Sequence, residues 1–142
     1  MSLAYDQNGL QFHYPDAWSL EREESQQGWS ITLQSQGTGF LLIVCDQEMP
    51  QAEEMAEATL EALRKDYPLL EADSIIENIC GQPAIGHDIG FFSLDLENTC
   101  KTRCLYIQDG TLLFLSQSSD IDYKKFGPAM QALYASIKID NE

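Results

Sequence analysis

The chain has 142 residues, enough for one domain with its own core, and its apolar (44%) and charged (22%) fractions are those of a soluble globular protein. Its longest apolar run, Phe40 to Cys45, is far too short for a membrane helix. A net charge of −15, from 23 acids against 8 bases, repels phosphate backbones and anionic lipid, which excludes nucleic-acid binding and membrane insertion and leaves a basic protein surface as the attracted partner.

The first strand is expected where Leu10, Phe12 and Tyr14 alternate with Gln11 and His13. Pro15 has no N–H for a ladder and ends it; Asp16-Ala17 turns the chain, and Trp18 tucks back onto the core. Strands follow around Ser19 to Glu23 and from Trp29 to Gln34, separated by Gln26-Gln27-Gly28. Gly37-Thr38-Gly39 lacks the spacing and following helix of a phosphate loop and reads as a hairpin turn. It leads into Phe40 to Cys45, apolar on both faces and therefore a central strand covered on both sides.

A helix is expected from Pro50 to about Asp66, with Ala56, Leu60, Leu63 and Tyr67 as its apolar stripe. Its early acids and late bases suit the helix dipole, and Pro68 stops it. Strands then run from Ser74 to Cys80, from Ala84 to Leu96, from Thr99 to Gln108 and from Thr111 to Ser118, with turns at Gly81-Gln82-Pro83, Glu97-Asn98 and Asp109-Gly110. Asp120 and Asp122 are alternative caps for a closing helix striped by Phe126, Met130, Leu133 and Ile137. Gly127-Pro128 is expected to interrupt it, leaving a short turn from Ile121 to Phe126 before the main helix. Ile137-Lys138-Ile139 ends the chain extended. Hairpin links make the sheet mostly antiparallel, and two amphipathic helices need its faces, so the expected class is α+β: an α/β/α sandwich, one domain over residues 1–142.

Four cysteines in a chain of this size are not needed as staples, and Cys100 and Cys104 lie too far apart on one strand for a disulfide or a shared zinc. Cys45 is expected to pack as a small hydrophobe. His13 is placed on a solvent face and His87 in the long strand; neither has a nucleophile marked out for it by spacing. No hydrolase elbow, zinc helix or paired catalytic carboxylate occurs, so no enzyme, cofactor or metal is expected. Met1-Ser2-Leu3 does not begin a secretory signal, and the expected compartment is the cytoplasm. Glu53, Glu54, Glu57 and Glu61 on the first helix are the candidate partner-binding residues: like charges four apart weaken a helix, with Glu61–Lys65 offsetting part of the cost. A plain solvated face is the competing reading. Lys101 and Arg103 alternate on one strand face; beside a groove between sheet and helix they would position an anion.

Phe12-His13-Tyr14-Pro15-Asp16-Ala17-Trp18 resembles the F-x-Y-P-x-x-W opening of PsbP-like proteins. Gly81-Gln82-Pro83-Ala84, the hairpin around Asp109-Gly110 and the closing helix from Asp122 to Ile137 resemble later segments of that family, in the same order. The resemblance implies the Mog/PsbP-like fold, whose members include photosystem subunits, a factor that binds the GTPase Ran and bacterial secretion chaperones. What they share is binding another protein without catalysis. The functional expectation is therefore a non-catalytic protein-interaction module, adaptor-like or chaperone-like. The alternative is a carrier or sensor holding a small apolar ligand between sheet and helix, for which a closed apolar pocket of roughly 300 Å³ or more is required.

Overall fold

In the computed structural model, which describes residues 1–140, the alternation in Leu10, Phe12 and Tyr14 becomes strand β2 (Leu10–Pro15), with those three side chains buried and Gln11 and His13 exposed. An unexpected strand precedes it. β1 (Ser2–Gln7) pairs antiparallel with β2 through a tight turn at Asn8-Gly9, both residues at positive φ (58° and 78°) as a type I′ turn requires. Tyr5 and Phe12 are directly opposite and stack at 5.1 Å. With the two-residue β10 (Lys138–Ile139) on its other edge, β2 centres a small antiparallel sheet.

The main sheet has seven strands: β3 (Ser19–Ser25), β4 (Gly28–Gln34), β5 (Phe40–Asp46), β6 (Glu71–Ile79), β7 (Gln82–Ser93), β8 (Leu96–Ile107) and β9 (Gly110–Ser119), in the spatial order β3-β4-β5-β9-β8-β7-β6. Every neighbouring pair is antiparallel. α1 (Ala52–Asp66) lies on one face over Cys100, Cys104, Leu113 and Leu115. α2 (Tyr123–Ser136) and the small sheet close the other, where Trp29, Ile31, Ile43, Leu105 and Phe114 meet Phe12, Trp18 and Leu133. The α+β sandwich is as expected, but its second face is covered by a helix and a sheet together.

Several boundaries differ from the sequence pattern. β6 begins at Glu71 rather than Ser74, the turn into β7 is Cys80-Gly81 with Gln82 and Pro83 already inside the strand, and the turn into β9 is Gln108-Asp109 with Gly110 paired to Ile107. α1 starts at Ala52, with Pro50 outside it and Gln51 an N-cap whose side chain makes no capping bond. β7 ends at Ser93 rather than Leu96, and the turn falls at Leu94-Asp95, both at positive φ, so that Glu97 and Asn98 lie inside β8 opposite Phe92 and Phe91. α2 runs unbroken through Gly127-Pro128: Pro128, the sixth residue of the helix, forfeits its bond to the Lys124 carbonyl, while the burial of Phe126, Met130 and Leu133 holds the helix on the sheet and Gly127 leaves room for the Tyr123 ring. Among the described residues no helix is long and apolar enough to cross a membrane.

Candidate functional site

The four predicted glutamates are all exposed on α1. At about 3.6 residues per turn they share one arc of the helix about 100° wide, with Glu53 and Glu57 at one edge of it and Glu61 and Glu54 at the other. Glu53 and Glu57 share the flank toward β7, where Glu57 Oε1 lies 3.5 Å from Nε2 of the buried His87. Glu54 and Glu61 face outward, and Glu61 pairs at 3.7 Å with Arg64 rather than with Lys65. The four therefore form one exposed acidic face of α1. His87 Nδ1 is buried with no hydrogen-bond partner among the described residues, and His13 is exposed.

On that same face of the main sheet, α1 packs chiefly on β7, β8 and β9 and leaves β5 at the margin of its cluster. Phe40, Leu42 and Val44 of β5 consequently stay half-buried, while their alternates Leu41, Ile43 and Cys45 are fully enclosed. The expected cover on both faces of β5 is complete on one face only. The register continues the bare surface outward: Leu42 neighbours Thr32 and then Glu21, and Val44 neighbours Ser30 and then Glu23. An apolar row is thereby rimmed by exposed carboxylates on the edge strand.

The opposite face carries a cleft of about 340 Å³ between α2 and strands β6, β8 and β9. Its floor is organised by Arg103, which is 4% exposed. The residue opposite Arg103 on β7 is Gly86, where any side chain would collide with the Thr102 carbonyl of β8. The guanidinium spans toward β6: Nε donates to Glu77 at 2.6 Å, Nη2 to Asp88 at 2.8 Å and Nη1 to the Thr102 carbonyl at 2.8 Å. Burial works against its charge, but the bonds to Glu77 and Asp88 outweigh that and hold its pKa above the ordinary arginine value. Lys101, two residues along the same strand, sits 5.7 Å over the Tyr123 ring and makes no ion pair among the described residues. Both cations singled out in the sequence therefore do line a groove between sheet and helix.

Tyr134 on α2 also lines the cleft, and its hydroxyl is buried without a hydrogen-bond partner. Burial pushes its pKa up; the Ser116 hydroxyl is near enough to counter this slightly, yet not placed to complete a bond. Nothing in the sequence marked Tyr134, since it lies off the apolar stripe read for the helix. Ile75, Phe126 and Met130 supply apolar wall.

The remaining candidates are structural. Cys45, Cys100 and Cys104 are buried free thiols pushed up to about 12, by desolvation first and, for Cys45, by Asp109 and Asp46 as well. Cys80 is free and exposed. Among the described residues no three His, Cys, Asp or Glu side chains converge as metal ligands. The Gly37-Thr38-Gly39 segment is a turn held by Asp122, whose carboxylate bonds Thr38 instead of capping α2.

No protein-family model matches this chain, and no curated protein matches it. Solved structures do. The cyanobacterial PsbP of Synechocystis sp. PCC 6803 superposes with a TM-score of 0.68 at 9% identity, over 99% of this chain and 92% of that one. LpqN of Mycobacterium tuberculosis, described as involved in cell envelope biogenesis, gives 0.59 at 14% identity over 98% and 90%. A protein of unknown function from Pseudomonas aeruginosa gives 0.52 at 14% over 92% and 91%. The fold is therefore PsbP-like, as the order of sequence motifs implies; likeness at this identity shows the fold and no particular activity.

Proposed function

We propose that the chain is a non-catalytic protein-interaction module, adaptor-like or chaperone-like, that docks a basic amphipathic segment of another protein on the half of the sheet left bare by α1. The carrying observation is the half-buried row Phe40, Leu42 and Val44 rimmed by Glu21 and Glu23. Such a row offers apolar area for the partner's apolar face, and its acidic edge selects positive charge and fixes register. The net charge of −15 steers a basic partner from a distance, with Glu53, Glu54, Glu57 and Glu61 of α1 adding to the field on the same side of the sheet. Four unpaired thiols suit the cytoplasm as the place of action.

The test is calorimetric titration of the protein with a lysine- and leucine-rich amphipathic peptide, at low and high salt, beside an acidic peptide of the same pattern. Binding of the basic peptide alone, weakened by salt and by Leu42→Asp or the pair Glu21→Lys and Glu23→Lys, is the expected result. Unchanged affinity in those variants removes the proposed surface, and unchanged affinity in Glu53→Lys with Glu57→Lys removes the contribution of α1. A second reading, a carrier of a small ligand, is favoured by the cleft under α2, whose volume of about 340 Å³ meets the expected size, although the cleft is open and sets Glu77, Lys101 and Arg103 beside its apolar residues where a closed apolar pocket was expected.

A further inference from the structure

Resting on that second reading, we propose that the cleft between α2 and the sheet binds a small amphipathic anion, its carboxylate-like head at Lys101 and Tyr134 and its apolar body along Ile75, Phe126 and Met130.

The ligand's head is read from donors that lack acceptors. Arg103 is not one of them, since Glu77, Asp88 and two backbone carbonyls occupy its guanidinium. That same network leaves Lys101 over. Asp88, its cross-strand neighbour, is committed to Arg103 at 2.8 Å. Lys101 is half-buried with an aromatic ring beneath it and, among the described residues, no carboxylate within ion-pair distance, in a chain with nearly three acids for every base. A partly desolvated ammonium in that position gains from an incoming anion. Tyr134 contributes the second donor. Its hydroxyl is buried and unpartnered, and a phenol kept neutral by burial donates rather than accepts toward an anion. The Ser116 hydroxyl, paired in register with Lys101, stands on the same floor.

The body is read from the walls. Phe126 and Met130 present apolar surface from α2, Ile75 from β6, and the Tyr123 ring lies beside Lys101. A volume of about 340 Å³ is at the lower end for small-molecule sites. It suits one ring or a short alkyl chain, and excludes a nucleotide or a folded peptide.

The experiment titrates the full chain with octanoate and with octanol, matched in chain length, by calorimetry and by amide NMR shifts. Octanoate is expected to bind roughly tenfold more tightly than octanol, the worth of one charge-assisted contact, with shifts at Lys101, Met130 and Tyr134. Lys101→Met should bring octanoate down to the affinity of octanol and leave octanol unchanged. Gln131→Trp, which places a large ring from an exposed position across the mouth, should abolish both while circular dichroism shows the fold intact. Equal binding of the two probes by the unaltered protein overturns the anionic head and leaves the carrier reading standing. Binding of neither, or octanoate binding untouched by Gln131→Trp, overturns the cleft as a site altogether.

Discussion

Asp122 and Thr38, far apart in sequence, are joined by two hydrogen bonds: one carboxylate oxygen of Asp122 accepts from the Thr38 backbone N–H at 2.8 Å and from its hydroxyl at 2.6 Å. The Thr38 oxygen in turn accepts from the Ser119 N–H at 3.0 Å, so the turn before β5, the end of β9 and the start of α2 form one unit. The Thr38 hydroxyl, and then its N–H, hold the Asp122 carboxyl below its ordinary 3.8. A lowered folded-state pKa stabilises above the ordinary value and is lost as pH falls through the folded one. Asp122→Asn is therefore expected to lower Tm at neutral pH, with the gap to the unaltered protein closing below about pH 4. Thermal melts of both proteins across that range check it; a gap constant with pH would show that charge on Asp122 is immaterial.

Gly39 lies beneath the Phe126 ring, which itself stacks on Trp18 at 5.5 Å. A Cβ at position 39 would overlap that ring. Gly39→Ala is expected to cost about 1–3 kcal/mol by overpacking, read as a lower urea midpoint. The paired variant Gly39→Ala with Phe126→Leu should recover part of the loss if the ring is the cause.

These contacts show where the sequence was legible. Phe12, Tyr14 and Trp18 advertise burial by alternation and by a proline stop, and Trp18 does reach the core through Phe126. β1 is different: only Tyr5 of its six residues is buried, so no alternation marks it, and its one signal was the Asn8-Gly9 turn. The Leu94-Asp95 turn is hidden for a related reason. Phe92, Leu94 and Leu96 are all exposed, and apolar residues at a solvent-facing strand end imitate a continuing strand. As for β5, an apolar run says that both faces meet apolar surroundings; it does not say how far a neighbouring helix extends, and the bare row follows from where α1 ends up. Lys101 and Arg103 were visible as an alternating pair, but the wall opposite them depends on tertiary packing of Tyr134.

Of the four thiols, Cys80 alone is exposed, in a turn at positive φ. The thiolate is the reacting species, and Cys45, Cys100 and Cys104 are buried and held at about 12. One thiol per chain should therefore react with a chromogenic disulfide reagent at pH 8, and the other three only after denaturant is added. Fast labelling of a second thiol in the native protein would mean that the sandwich opens readily, on the α1 side if the thiol is Cys100 or Cys104 and on the α2 side if it is Cys45.

Arg103 separates two carboxylates. Replacing it with methionine keeps the stem's packing but leaves Glu77 and Asp88 facing each other without their shared cation. Loss of a buried partner costs about 3–5 kcal/mol, but Glu77 and Asp88 are 45% and 38% exposed and can rehydrate, so about 1–2 kcal/mol is expected. Urea unfolding measures the loss. Adding Glu77→Gln should return part of it by removing one of the opposed charges, and a double variant no more stable than Arg103→Met would show that packing, not charge, dominates at this position.

Tyr134→Phe separates a structural hydroxyl from one kept for binding. The ring meets Phe114 edge-on at 5.8 Å and is retained in the variant. The hydroxyl makes no hydrogen bond among the described residues while losing its hydration there, a net penalty that phenylalanine avoids. The substitution is therefore expected to leave stability unchanged or raise it by up to about 1 kcal/mol, in contrast to the usual loss when a bonded tyrosine hydroxyl is removed. A fall of more than about 1 kcal/mol in urea unfolding would show that the hydroxyl has a partner in solution, with Ser116 the first to test by Ser116→Ala. If stability holds while octanoate binding weakens, the hydroxyl acts in the ligand-bound state, because a group with nothing to bond in the empty cleft can lower the free energy only of a complex.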